Sequence, residues 1–297
     1  MKKTSFYLVL LVLILFSCNA TKNKIERNQM KATENNPSSF MEVNGLKMYY
    51  EVHGQGNPLV LIHGGGSTIQ TTFGRILATL AKTNKVIAVE MQAHGHTADR
   101  DTPLAFEQDA DDIASLLQQL NIKKASIFGF SNGASTTLQF AIRHPEMTHK
   151  IIVASTFYKK SGAPDWFWDM MSKPSFESMP QIYKDEFLKI NPDTIALHQM
   201  YKRDVQRMQT FTNISEEQIK SIKVPTLIVI GDTDVVTPEH AIEMQKFIPN
   251  SELAIVPGGH GTYMGEITTL KPNYQETDFV IIPLINNFLA KGNDKNE

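Results

Sequence analysis

The chain has 297 residues, 41% hydrophobic, 20% charged and 9% aromatic, with 29 Lys and Arg against 31 Asp and Glu and a single Cys. This composition excludes a disordered tail, a collagen-like rod and a disulfide-stapled miniprotein, and a formal charge of -2 gives no electrostatic ground for a nucleic-acid partner. What remains is a folded protein, long enough to bury a sizeable core, that acts on small molecules or proteins.

Lys2 and Lys3 precede an apolar run over residues 8–16 and then Ser17, the layout of a secretory signal over 1–17 that is short for a membrane span. Leu15-Phe16-Ser17-Cys18 resembles a bacterial lipoprotein lipobox. That resemblance implies an acylated Cys18, a lipid anchor and a place in the bacterial cell envelope. Residues 18–39 are rich in Asn, Lys, Thr, Glu and Ser and are expected to form a flexible tether, because they hold too little apolar surface to offset the entropy of ordering.

Apolar residues then alternate over 40–53 around Asn44-Gly45, a strong hairpin signal. Residues 58–62 form an apolar strand that runs into His63-Gly64-Gly65-Gly66. Helical spacing follows over 69–83, a strand over 85–91 and a helix over 106–120, on which Asp109, Asp111 and Asp112 are expected to form a solvated face. A strand over 125–130, a helix over 132–144 and a strand over 151–155 continue the alternation. It stops over 158–220, which holds both Trp and five of the 13 Met, and is expected to be a helical cap. The pattern resumes with strands over 224–230 and 253–256 and helices over 238–248 and 279–289. Residues 40–157 and 221–297 thus predict an α/β core, a mostly parallel sheet covered by helices on both faces.

Gly129-Phe130-Ser131-Asn132-Gly133 lies between a predicted strand and a predicted helix, the context that makes G-x-S-x-G informative. A serine is a poor nucleophile without a base to take its proton and a third group to orient that base. Gly231-Asp232-Thr233-Asp234 ends the next core strand, and Pro257-Gly258-Gly259-His260-Gly261 ends the one after. In this order of Ser, acid and His, residues 40–289 resemble the α/β-hydrolase superfamily. The resemblance implies Ser131 as nucleophile, His260 as general base and then acid, and Asp234 as the residue that fixes the His260 tautomer, with Asp232 left as a turn residue. It also implies an oxyanion hole from the amides of Asn132 and Gly65, with His63 bracing the latter's loop.

Within the cap, Trp166, Trp168, Met170 and Met171 are expected to line an apolar substrate pocket, in company with Phe176, Met179, Tyr183 and Phe187. No cluster of acids or arginines in the cap suggests a charged substrate. His94-Gly95-His96 lacks an acidic or Cys partner in sequence and is not expected to bind metal. Residues 90–97 instead resemble the family's D-x-x-G-x-G-x-S loop, with Ala93 where the family has glycine. The chain has neither a phosphate loop nor a dinucleotide fingerprint, and no cofactor is expected. The resemblance implies a serine hydrolase that cleaves carboxylic esters of small apolar substrates. An enol-lactonase or C–C bond hydrolase would use the same three residues, and a lipid-anchored ligand-binding protein would retain the same shell.

Overall fold

Strands buried on both faces need apolar side chains pointing both ways, and the runs recognised in the sequence supply them. The structure, a computed structural model that describes residues 38–271, 273 and 279–292, arranges eight strands in one sheet. They are β1 (Ser38–Val43), β2 (Leu46–His53), β3 (Asn57–Ile62), β4 (Asn84–Val89), β5 (Ala125–Phe130), β6 (Thr148–Ala154), β7 (Thr226–Gly231) and β8 (Ser251–Val256), in the order β1-β2-β4-β3-β5-β6-β7-β8. Strands β3 to β8 are parallel to one another, and β2 runs antiparallel to β4. Asn44 and Gly45 both adopt positive φ, 48° and 76°, as a tight hairpin requires. The signal segment, Cys18 and the tether up to residue 37 lie outside the described residues.

The helices are α1 (Ile69–Phe73), α2 (Leu77–Leu80), α3 (Phe106–Gln119), α4 (Asn132–Arg143), α5 (Asp165–Ser172), α6 (Gln181–Ile190), α7 (Thr194–Gln209), α8 (Glu216–Ser221), α9 (Pro238–Phe247) and α10 (Ile281–Ala290). Alternate β3 side chains serve opposite layers. Val60 and Ile62 belong to one core cluster with Leu116 and Leu117 of α3, Leu138 of α4 and Met244 of α9, whereas Leu59 and Leu61 belong to another with Phe73 of α1 and Ile285 of α10. Truncating one such side chain, Leu61→Ala, removes about 2–5 kcal/mol. The helical spacing over 69–83 becomes two short helices, α1 and α2, with a break at Gly74-Arg75-Ile76. No helix among the described residues is long and apolar enough to cross a membrane.

Two of the three acids expected on a solvated face of α3 are buried instead. Asp112 accepts bonds from Arg100 Nη2 at 2.6 Å and Asn44 Nδ2 at 2.9 Å, and Asp109 accepts one from Arg207 Nη1 at 2.6 Å. Only Asp111 stays partly exposed, paired with Arg143. Distant arginines offset part of the desolvation of these carboxylates, although at Asp109 burial outweighs Arg207 and pushes the carboxyl up. Ala93 also adopts a left-handed φ of 66°, a conformation that favours glycine.

The strand order reverses about β3, which lies between β4 and β5, and the carboxyl ends of β3 and β5 therefore open a crevice at the middle of the sheet.

Candidate active site

Ser131 sits between β5 and α4 with φ 54° and ψ -122°, a backbone conformation that L residues seldom hold unless their surroundings enforce it. The enforcement is steric. A Cβ at Gly129 would lie 2.1 Å from the Gly133 carbonyl oxygen, and one at Gly133 would lie 2.1 Å from that of Ile62. Only hydrogen fits at either position, and the Ser131 amide is tied to Ala154 O at 2.9 Å on the neighbouring strand. The hydroxyl is thus held at the N-terminus of α4, where the helix dipole favours negative charge.

Ser131 Oγ lies 3.1 Å from His260 Nε2, and His260 Nδ1 lies 2.7 Å from Asp234 Oδ1. A carboxylate only accepts, so Nδ1 carries the ring proton and Nε2 offers its lone pair to the serine. The Asp234 side chain is fully buried. Burial alone would push its carboxyl up, but the His260 bond and charge, with Ser155 Oγ and the Gly231 amide, hold it below the usual carboxylate value. Ser155 Oγ donates to Asp234 and receives the Tyr263 hydroxyl in turn, which burial pushes well above the usual tyrosine value. Sequence reasoning missed Ser155 and Tyr263; the one available signal was a serine directly after β6. Asp232 is exposed and accepts the Gly258 amide at 2.8 Å, a turn contact away from His260.

The loop after β3 is braced by His63, whose Nδ1 donates to Gly64 O at 2.7 Å and whose Nε2 accepts the Met91 amide at 3.1 Å. Burial, then the nearby His94 charge, depress the His63 pKa to about 3, so the ring is neutral. Gly65 and Asn132 both line the cavity that contains Ser131, and neither amide donates to another protein group among the described residues. Two free amides beside a serine hydroxyl are suited to receive a developing oxyanion.

That cavity has a volume of about 390 Å³, within the ~300–1,000 Å³ typical of small-molecule sites. Trp166, Met170 and Met171 of α5 line it, as do Met179 and Tyr183. Trp168 does not. It turns to the core, where its ring packs 5.4 Å from Phe157 and its Nε1 donates to Lys160 O at 2.8 Å, because the indole N–H finds an acceptor there. Phe187 likewise packs with Leu197 and Met200 in a small core of the cap itself.

The cap does carry charged residues on the underside of α7, paired with one another and with the core rather than offered to a substrate. Asp204 Oδ2 accepts the Gly66 amide at 2.6 Å and His94 Nε2 at 2.9 Å, while its Oδ1 accepts Arg207 Nη2 at 2.8 Å. Burial opposes the charge on Asp204, but His94 and Arg207 outweigh it and hold the carboxyl far below the usual range. Burial would lower His94 too, yet Asp204 raises it above the ordinary histidine value. Arg203 adds a bond to Asp99 at 2.8 Å, and Tyr183 of α6 donates to Glu266 at 2.7 Å. His96 pairs with Glu90 at 2.8 Å, so both histidines of the 94–96 stretch have acidic partners. Among the described residues, no three His, Cys, Asp or Glu side chains are arranged to hold a metal ion.

Residues 59–266 match the model of the Alpha/beta hydrolase family. Serine hydrolase BPHL of Homo sapiens is 29% identical over 239 residues, which cover 75% of this chain and 79% of BPHL. The 2-hydroxy-6-oxo-6-(2'-aminophenyl)hexa-2,4-dienoic acid hydrolase of Metapseudomonas resinovorans is 25% identical over 256 residues, covering 79% of this chain and 88% of that enzyme. The crystal structure of the enol-lactonase from Burkholderia xenovorans LB400 matches with a TM-score of 0.67 at 19% identity, over 85% of this chain and 100% of that one, a likeness of fold.

Proposed function

The chain belongs to the alpha/beta hydrolase family and is a serine hydrolase within it; we propose that it cleaves carboxylic esters of small apolar substrates through an acyl-enzyme on Ser131. The observation that carries this reading is the 3.1 Å contact from Ser131 Oγ to a His260 already oriented by Asp234. Ser131 Oγ bonds to the ester carbonyl carbon as its proton passes to His260 Nε2, and the carbonyl oxygen becomes an alkoxide facing the Gly65 and Asn132 amides. Collapse breaks the ester C–O bond, and the leaving alcohol takes the proton from His260. Water then attacks the acyl-serine, again giving its proton to His260, and collapse returns that proton to Ser131 and releases the acid.

A neutral ester suits the cavity better than the dienoic acid in the Metapseudomonas enzyme's name. The lining includes no Lys or Arg to receive a substrate carboxylate. The test is hydrolysis of p-nitrophenyl esters of rising acyl length by the full chain, beside Ser131→Ala, together with fluorophosphonate labelling of Ser131. Activity and labelling that both disappear in the variant support the reading. A wild-type protein inert on every ester but active on lactones or C–C substrates overturns it.

We also propose that a lipid on Cys18 holds the enzyme at the surface of a bacterial membrane, on the strength of the Leu15-Phe16-Ser17-Cys18 motif. Metabolic labelling with an alkyne fatty acid tests this, and Cys18→Ser should lose both the label and the membrane fraction.

A further inference from the structure

Three glycines in series give residues 64–66 no side chain with which to fix themselves, and glycine has the most backbone freedom to lose on ordering. The loop is nevertheless held, from a point 138 residues away in the chain, by the 2.6 Å bond from the Gly66 amide to Asp204 Oδ2. The same oxygen abuts the preceding residue, since a Cβ on Gly65 would lie 3.3 Å from it. The other contacts from side chains to the loop's amides are longer, 3.3 Å from Gly66 N to His94 Nε2 and 3.4 Å from Gly64 N to Thr72 Oγ1.

We propose that Asp204 is a positioning residue for the oxyanion loop, fastening Gly66 to helix α7 so that the Gly65 amide is aimed at the reacting carbonyl only while the cap is docked. The proposal rests on the serine-hydrolase reading of Ser131. Asp204 touches neither Ser131 nor His260; it acts through the loop.

A carboxylate beside an oxyanion would oppose the charge it is meant to help form, unless it is neutralised. His94 meets that need by geometry. Its Nδ1 faces the Gln92 carbonyl at 2.9 Å and its Nε2 faces Asp204 at 2.9 Å, both acceptors and both closer than the Gly66 amide at 3.3 Å, an environment that favours the charged ring. Arg207 pairs with Asp204 on one side and Asp109 on the other, extending a buried series of alternating sign from the loop through the cap to α3. The unit therefore supplies a firm acceptor to Gly66 without turning a negative potential on the site.

Amide hydrogen exchange on the resting full chain tests the fastening without any substrate. In the wild type the Gly66 amide should exchange at least about 10-fold more slowly than the free Gly65 amide. Asp204→Ala should erase that difference, and Asp204→Asn, which keeps an acceptor oxygen, should restore most of it. Kinetically, Asp204→Ala should lower kcat on a p-nitrophenyl ester by about 10- to 100-fold, because a donor is misaimed rather than lost, with KM changed by less than about 3-fold. Asp204→Asn should recover part of kcat. Equal exchange of the two amides in the wild type overturns the proposal even if no variant folds, as does an Asp204→Ala protein with wild-type kcat. A wild type inert on esters while Gly66 is protected would instead count against the ester reading and leave the fastening supported.

Discussion

Two aspartate–histidine pairs lie at this site, and they do opposite things. Asp234 and His260 are 2.7 Å apart, and Asp204 and His94 are 2.9 Å apart. The difference lies in the third partner. The far nitrogen of His260 faces a serine hydroxyl, which can donate, so that nitrogen can offer a lone pair and take a proton. The far nitrogen of His94 faces a carbonyl, which cannot donate, so that ring is suited to hold a charge rather than to take a proton from a substrate. A histidine beside a carboxylate is therefore a base or a structural charge according to what stands on its other side. His63 completes the series: with a carbonyl at one nitrogen, an amide donor at the other and no carboxylate bonded to it, it is neutral and inert.

Removing the orienting acid of the first pair should have the largest effect. Asp234→Asn is expected to lower kcat by roughly 10⁴, since Nδ1 no longer has a carboxylate to hold its proton and the useful tautomer is lost. Steady-state rates on the preferred ester check this, and a variant within about 10-fold of wild type would erase the distinction between the pairs.

The second pair should break in stability. Arg207→Met leaves Asp109 and Asp204 buried without their shared cation, for an expected loss of about 3–5 kcal/mol in urea denaturation. A loss near zero would mean that water reaches the cluster.

The charge states can be read from pH. The unfolded chain protonates His63 near 6.5, while the folded chain resists until about 3, so stability is lost as pH falls below 6.5, by about 1.4 kcal/mol per pH unit for this group. His94 has the opposite sign. Its folded value is raised, so its contribution is full below 6.5 and is lost as pH rises through the folded value. Denaturation curves across pH should therefore flatten on the acid side in His63→Gln and on the alkaline side in His94→Gln; the reverse assignment would overturn the comparison.

The smallest effect concerns the support of the catalytic acid. Ser155→Ala removes one donor to Asp234 but leaves the amides of Gly231 and Val235, for an expected fall in kcat of about 10-fold. A fall as large as that of Asp234→Asn would show that the hydroxyl, rather than the amides, fixes the acid.

The meeting of Ser131, Asp234 and His260 was legible because each lies in the turn just past a strand, where local pattern and motif point to the same position. The strand-and-helix alternation was legible for the same reason. Asp204, Arg207 and Asp109 were not, because a charged residue on an amphipathic helix ordinarily faces water, and only a partner far along the chain reverses that. Gln199, Arg203, Asp204 and Arg207 do share a side of α7 at spacings of about one turn, but the pattern is the same whether that side meets solvent or the loops at Asp99 and Gly66. Trp168 was misplaced because an aromatic next to two others gives no sign of which ring will find an acceptor for its N–H.

The contact of Gly133 with the Ile62 carbonyl has a bearing on how such a protein diversifies. Because the elbow rests directly on the strand that launches the oxyanion loop, the distance between nucleophile and loop root is set by backbone against backbone, which changes in residues 158–220 leave untouched. Selection on substrate range can therefore rework Trp166, Met170, Met171 and Met179 while the bond-making half of the enzyme is inherited intact. Independence ends at one strap: a replacement cap would keep the chemistry only if it also brought an acceptor to Gly66.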